Sequence, residues 1–439
     1  MNTSQLRLRL KELNIDMTHS LYTILKGIES EISIVSKAEA KLEFITKKDL
    51  LSIDADTDVA KELILIILSN LSNTSTLASS STDTRVVQGY KKLYSPILKD
   101  QVKVNSKATS PYKKILNLLI KYNMIEKGKS YSTVSKTSNE YRLCRNFFNK
   151  GVVDYTLKTD VAKRLSNKDK VSNLEKCIST VLGRNALANL ERVEMPSLEE
   201  VKTHLEKKIK EGFINKAGQK LVSEGKNPGR YEDRDDVVTM ERYLNDYAYL
   251  KEHFHIPIIT GDNAGERVIT KWNLMASVIR ELVKVDGEYL TECDYGSLHP
   301  NIANRVYRGE NKVNINHDTV SSFLGITRKE SKILHLSFLN LRVDDMKRSP
   351  LYDYYKANHL DLLIKVENDK LRHNTHKITS QKMFTVETQM MSLAVDRLQD
   401  QGITAIYVFD CLYVKGSDVI ITTDVMNKVA KEFKVLTTV

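Results

Sequence analysis

Cysteine is scarce in this chain and long apolar runs are missing. Its 439 residues hold four cysteines, Cys144, Cys177, Cys293 and Cys411. None has a metal-type spacing, and four are too few to staple a chain of this length. Neither a zinc module nor a disulfide scaffold is expected, and a reducing, cytoplasmic compartment fits. No stretch of about 18 apolar residues occurs, so no membrane span and no membrane partner are expected. Residues Met1 to Lys11 mix polar, charged and isolated leucine residues and lack the apolar centre of a signal peptide. No internal repeat is visible. What remains is a chain with 41% hydrophobic residues, ordinary for a globular protein and long enough for about three domains.

The formal net charge is +11, and it is unevenly placed. Residues 91–150 contain 14 Lys or Arg against three acids, Asp100, Glu126 and Glu140, so this segment carries the whole excess. A positive field concentrated in one segment points to a polyanion. The alternative is a solvated basic face. The same segment has a recognisable pattern. Ser110-Pro111 starts a helix with Ile115, Leu116, Leu118, Leu119 and Tyr122 on its apolar face. Met124 to Tyr131 and Glu140 to Leu143 read as two short strands around a polar tip carrying Lys136. A helix followed by such a hairpin resembles a winged helix, with Lys113, Lys114 and Lys136 as candidate DNA contacts.

Four segments are expected along the chain. Residues 1–85 are helical and end in a Ser/Thr-rich linker, Ser69 to Thr84. Within them, Ala60 to Leu68 reads equally as a helix or a buried strand. Residues 86–158 are the basic, winged-helix-like segment. Residues 159–264 form a charged helical arm, with a capping box at Ser197-x-x-Glu200. Residues 265–439 are mixed α and β and carry the chemistry.

Two carboxylates stand out there. Asp294 ends an alternating run, Tyr289 to Tyr295, that follows the tight turn Asp286-Gly287. Leu290, Glu292 and Asp294 share one face of that strand, and Ser297 is placed to cap the helix that follows. Asp410 ends a second run, Thr404 to Phe409, which precedes a strand at Leu412 to Val414. That makes Asp410-Cys411 the expected hairpin tip, and Gly402 marks the end of the long helix before it. If the two strands are neighbours, the carboxylates converge, and hard carboxylate oxygens suit magnesium, with manganese as a substitute. Two such ions clamp the attacking and leaving oxygens of an in-line displacement. Between the acids, Arg328 and Lys332 are one helical turn apart behind Thr327, a cap, and their heads suit the terminal phosphates of a nucleotide. The helix Thr379 to Gln401 carries Phe384, Met391, Val395 and Leu398 at helical spacing, which reads as core. Glu387 on that helix is either a third acid of the site or a surface residue, and the surface reading is favoured.

This order of parts resembles the family A DNA polymerases, including compact phage and plasmid forms. Asp294 and Asp410 match the two metal-binding aspartates, and Arg328 and Lys332 match the nucleotide-binding fingers helix. Arg267-Val-Ile-Thr-x-x-Asn-Leu and Arg280 resemble the basic segment that such enzymes place against primer and template. The match covers roughly 265–415. His299 stands where the family has a ribose-rejecting Glu, and Asn340 where a Tyr stacks on the incoming base. Phe409 replaces a His, and Cys411 an acid. Asp294-Tyr-Gly-Ser-Leu-His-Pro also resembles the corresponding family B motif. The resemblance implies an α+β chain with a palm and fingers core, preceded by a mainly helical half with a winged helix and a thumb-like arm. It also implies primer extension by two Mg2+ ions on a DNA primer–template, with nucleoside triphosphates as substrates and other replication proteins as partners. A phage- or plasmid-encoded origin in a bacterial host goes with it. No clustered acids for a proofreading exonuclease occur in the N-terminal half. A primase or RNA polymerase on the same palm, and a DNA-binding initiator with a degenerate palm, are the alternatives.

Overall fold

In the computed structural model the described residues are 3–12, 25, 31–72, 89–104, 109–130, 138–147, 151–215, 218–223, 237–252, 256–308 and 313–439. They form a mixed α/β structure that is mainly helical, with several small sheets. No helix among them is long and apolar enough to cross a membrane. The chain divides into two compact units. One comprises Met1–Glu175, Glu194–Ile256 and Leu274–Val283; the other comprises Lys176–Val193, Pro257–Asn273 and Lys284–Val439. These divisions differ from the four segments read from the sequence. Residues on both sides of position 85 share one apolar core, which runs from Ile32 to Ala162. The arm, 159–264, is divided between the units.

The first unit includes β1 (Glu31–Val35) and α1 (Thr57–Ser72). The ambiguous run Ala60 to Leu68 is therefore helix, and its residues are buried on nearly every side. Then follow β2 (Lys91–Lys92), α2 (Ser95–Gln101), α3 (Tyr112–Lys121), β3 (Ile125–Lys127), β4 (Glu140–Leu143) and β5 (Val152–Thr156). β2, β4 and β3 form an antiparallel sheet in that order, and β5 pairs with β1. Pro111 takes the N-cap of α3, whose Ile115, Leu116, Leu118 and Leu119 are buried as their spacing predicts. Lys113 and Lys114 are exposed on the same helix. Lys114 Nζ donates to the Ser52 carbonyl at 2.9 Å. Lys136 lies outside the described residues. The capping box at Ser197 and Glu200 forms as expected at the head of the helix Leu198–Lys210.

The second unit contains α4 (Val181–Ala188), β6 (Lys284–Val285), β7 (Glu288–Asp294), α5 (Leu298–Arg308), α6 (His317–Leu324) and α7 (Arg328–Phe338). These are followed by α8 (Pro350–Asn358), α9 (Leu360–Arg372), α10 (Ile378–Gln399), β8 (Ile406–Val408), β9 (Cys411–Lys415) and α11 (Val419–Glu432). Strands run in the order β8-β9-β7-β6, each pair antiparallel. One core joins Cys293, Tyr295, Met390, Met391, Val395, Leu412, Val414 and Met426, so α10 and α11 pack on the sheet. Gly402 has φ 72° just past α10 and lets the chain turn into β8.

Candidate active site

β7 and β9 bring the two aspartates together. On β7, Cys293 is buried while Asp294 is exposed, as the period of two requires. Asp294 is paired with Cys411, and Val408 is also paired with Cys411, closing a two-residue turn. The tip is thus Phe409-Asp410, one residue earlier than expected. Cys411 is already in β9 and buried, with its thiol donating to the Val408 carbonyl at 3.1 Å. Asp410 is therefore one residue diagonally removed from Asp294. Strand geometry puts their Cα atoms roughly 6 Å apart, and Tyr295 N donates to the Asp410 carbonyl at 3.5 Å.

The turn itself is strained. Phe409 has φ 57°, at a position that hairpins usually give to glycine. For a bulky residue that conformation costs on the order of 1–3 kcal/mol, and it occurs where the surroundings hold it. The chain after Asp294 is held just as firmly. Tyr295 donates from its hydroxyl to the Met426 carbonyl at 2.6 Å. Gly296 bonds Thr438 O at 2.9 Å through its N–H and accepts from the Thr437 hydroxyl at 2.7 Å. Ser297, the expected cap, directly precedes α5 and takes φ 53°. Buried Asn301 bridges Ser297 O and Ile315 O at 2.9 Å each.

Glu387 overturns its surface assignment. It is 0% exposed and is the anion at the centre of the site. Arg267 grips it with Nε at 2.8 Å and Nη2 at 2.5 Å, and His299 Nε2 lies 2.5 Å from the same carboxylate. Phe384, expected in the core, is half-buried. It lies under the Arg267 guanidinium at 3.6 Å and edge-on to His299 at 5.7 Å. The Phe409 ring is 5.2 Å from the same guanidinium. Gly265 makes the approach possible, because a Cβ there would come within 2.5 Å of the Phe384 backbone. Arg267 and His299 thus join Asp410 and Glu387 in one cluster, while Arg280 belongs to the first unit.

The charges in this cluster shift one another. Burial pulls the His299 imidazole down, but the bond to Glu387 and the charges of Glu387 and Asp410 prevail, and its pKa stands above the ordinary value. Burial pushes Glu387 up, and His299 and Arg267 more than offset it, so it stays ionised. Burial, followed by the Glu387 charge, raises Asp410. The missed signal was one of phase. Glu387 falls on the same helical stripe as Met383, Met390, Met391, Ala394 and Leu398, all buried, and a carboxylate in a buried stripe needs cationic partners.

The nucleotide-binding candidates occupy α7 and its C-terminal end. Thr327 forms the expected cap, as a capping box with Glu330. Arg328 and Lys332 are exposed, and Arg328 Nε pairs with Asp318 at 3.2 Å. Asn340, beyond the other end of α7, lines an open cleft of about 710 Å³ with Thr375, Lys377, Ser380, Gln381 and Phe384. Phe384 thereby links this cleft to the Arg267–Glu387–His299 cluster.

α7 is fastened to α6 by buried His317 and His335, whose Nδ1 atoms are 3.2 Å apart. His335 Nδ1 also lies 3.1 Å from the Ser331 carbonyl, which only accepts, so His335 Nδ1 is the donor and His317 Nδ1 the acceptor on a neutral ring. Burial, then Lys332 and Arg328, hold His317 down at about 4. Burial, then His317, hold His335 at about 4. The unfolded chain takes up these protons first, so stability declines as pH falls from 6.5 towards 4. The loss reaches roughly 3 kcal/mol for each ring at the bottom of that window. Thermal midpoints between pH 7 and pH 4 are expected to follow this slope, and a His317→Gln/His335→Gln variant to flatten it. Equal slopes in the two proteins would contradict the assignment.

Among the described residues, no group of three or more His, Cys, Asp and Glu side chains could by itself hold a metal ion. The pair Asp294 and Asp410 nevertheless fits magnesium, which binds through one or two carboxylates and completes its shell with water and substrate phosphates. Both are oxygen donors at one end of adjacent strands, with Asp294 exposed and Asp410 half-buried. No protein-family model, curated protein or solved structure matches the chain.

Proposed function

We propose that this chain is a template-directed nucleotidyltransferase, a DNA-dependent DNA polymerase that extends a primer 3′-hydroxyl on a palm-like second unit. One observation carries the reading: the register that sets Asp294 opposite Cys411 puts two carboxylates, 116 positions apart in the chain, at the same end of one sheet. Asp294 and Asp410 are the residues that would hold Mg2+. Bound there, the cation would lower the pKa of the attacking hydroxyl and neutralise phosphate charge. Arg328 and Lys332 bind the triphosphate, and α7 spans about 15 Å from them towards the cleft at Asn340. Asn340 and Phe384 offer an amide and an aromatic face to the nucleotide. Arg267, fixed by Glu387, is assigned to primer and template, and His299, held by the same carboxylate, to the sugar of the incoming nucleotide. As in other phosphoryl transfers, these residues position groups and balance charge more than they react.

The first unit supports a DNA partner. Its order α1-β2-α2-α3-β3-β4, with the sheet arranged β2-β4-β3, is that of a winged helix, and α3 presents Lys113 and Lys114. If about five phosphates are contacted, log affinity for duplex DNA is expected to fall against log salt with a slope of about −4 to −5. A flat response would remove residues 91–150 from the contact surface. The activity is tested with a labelled primer–template, Mg2+ and each nucleotide set. Extension by deoxynucleotides from a primer is expected. Synthesis from ribonucleotides without primer would favour the primase reading, and no turnover with either set would refute the enzyme.

A further inference from the structure

Lys370, on α9, is only 4% exposed, yet all three of its ammonium hydrogens are used. Nζ donates to the carbonyls of Leu339 at 2.9 Å, Leu341 at 2.8 Å and His376 at 2.9 Å. Leu339 and Leu341 bracket Asn340, and His376 lies between Thr375 and Lys377. Asn340, Thr375 and Lys377 line the cleft. A single ammonium therefore ties the chain leaving α7 to the chain entering α10. The preceding residue does the complementary work. Asp369 accepts from the Tyr307 hydroxyl of α5 and from Lys382 Nζ of α10, both at 2.7 Å, and pairs with His373 at 3.4 Å.

We infer that Asp369-Lys370 is a clamp that sets the two walls of this cleft, with Lys370 as a positioning residue that holds Asn340 against Lys377. Three converging carbonyl oxygens leave a buried, electron-rich hole. Without a donor in it, each carbonyl is left buried without that partner, which is unfavourable. Only a compact cation with three donors fills it. Asn and Gln lack the third hydrogen in that geometry, and a neutral amine has two. The charged and titratable groups facing this point are Asp369, Lys377, His376, His373 and Lys382, with Arg342 and Asp345 beside His376. Burial first, then Lys377, bring Lys370 down to about 8, with Asp369 opposing. As pH rises through that value, one of the three carbonyls loses its donor.

The clamp stands on contacts alone; its consequence for nucleotides rests on the proposed function. Hydrogen–deuterium exchange of the full chain tests it in wild type, Lys370→Met and Lys370→Arg. In Lys370→Met, amides 339–342 and 375–378 are expected to exchange about tenfold faster together, with the remaining segments unchanged. The wild type is expected to show the same local step between pH 7 and pH 9, after correction for intrinsic rates, and Lys370→Met to lack it. Lys370→Arg, whose planar guanidinium does not fit a hole made for one ammonium, is expected to lose the protection at pH 7 as Lys370→Met does. In primer extension, Lys370→Met is expected to raise the nucleotide KM about tenfold while kcat stays within about threefold. Unchanged exchange at both segments in Lys370→Met, or a uniform rise along the chain, would overturn the clamp. If the wild type extends no primer, the polymerase reading fails while the exchange result still decides the clamp.

Discussion

Asp294→Asn and Asp410→Asn are each expected to slow primer extension about a thousandfold, which corresponds to roughly 4 kcal/mol of transition-state stabilisation. Asn keeps the size and polarity of each side chain, so neither change disturbs the register of β7 on β9. What is lost is anionic charge at the end of the sheet. On the proposed function the two carboxylates act on shared cations, so the double variant is expected to be little worse than either single one, as for residues that work as a unit. DNA affinity, assigned to the basic first unit, is expected to stay within about twofold. Single-turnover extension of a labelled primer measures the first effect and filter binding the second. A single variant that extends at the wild-type rate would contradict the assignment of that carboxylate.

Glu387→Ala is expected to cost about 3–5 kcal/mol of folding stability, because it leaves two half-buried cations without their buried anion. Arg267 is 15% exposed and His299 27% exposed, and both direct their nitrogen atoms at this one carboxylate. The contribution depends on pH in a definite way. The carboxylate's folded pKa lies below its ordinary 4.5, so its share is complete above 4.5 and is lost as pH falls through the lowered value. The imidazole's folded pKa lies above its ordinary 6.5, so its share is complete below 6.5 and is lost as pH rises through the raised value. Between those limits the ion pair is worth most. Denaturant midpoints at pH 5.5 are expected to separate the variant from wild type by the full amount. In the variant, burial acts on His299 without Glu387, and its NMR titration is expected to move below 6.5. A stability change under about 1 kcal/mol, or an unmoved titration, would show that the cluster is not held by this charge.

Parts of the site were legible in the sequence for physical reasons. The Asp286-Gly287 turn and the end of the run, where exposed Asp294 lies between buried Cys293 and Tyr295, follow the period of two, although Tyr289 and Thr291 on the Cys293 face are exposed. Thr327 and Glu330 gave the start of α7 because a capping box is a local device. Glu387 was misread because the apolar stripe of α10 was followed only through its apolar members. Asp369 and Lys370 continue the buried stripe of Leu362, Leu363 and Val366 on α9 in the same manner. A charge in phase with a core stripe announces burial, but its partners come from elsewhere in the chain. Arg267 is 120 positions from Glu387, and Leu339 is 31 from Lys370. No periodicity carries that information. The hairpin tip was placed one residue late because Phe409 adopts a left-handed conformation that its residue type disfavours.

Manganese uptake reports most directly on whether Asp294 and Asp410 act as one cation centre. Wild type, Asp294→Asn and Asp410→Asn, each with primer–template and a non-hydrolysable deoxynucleotide, are titrated with Mn2+ and followed by electron paramagnetic resonance. Wild type is expected to take up the ion at micromolar concentrations, and each substitution to abolish that uptake while DNA stays bound. Equal uptake by all three proteins would show that the paired strand ends do not hold the ion.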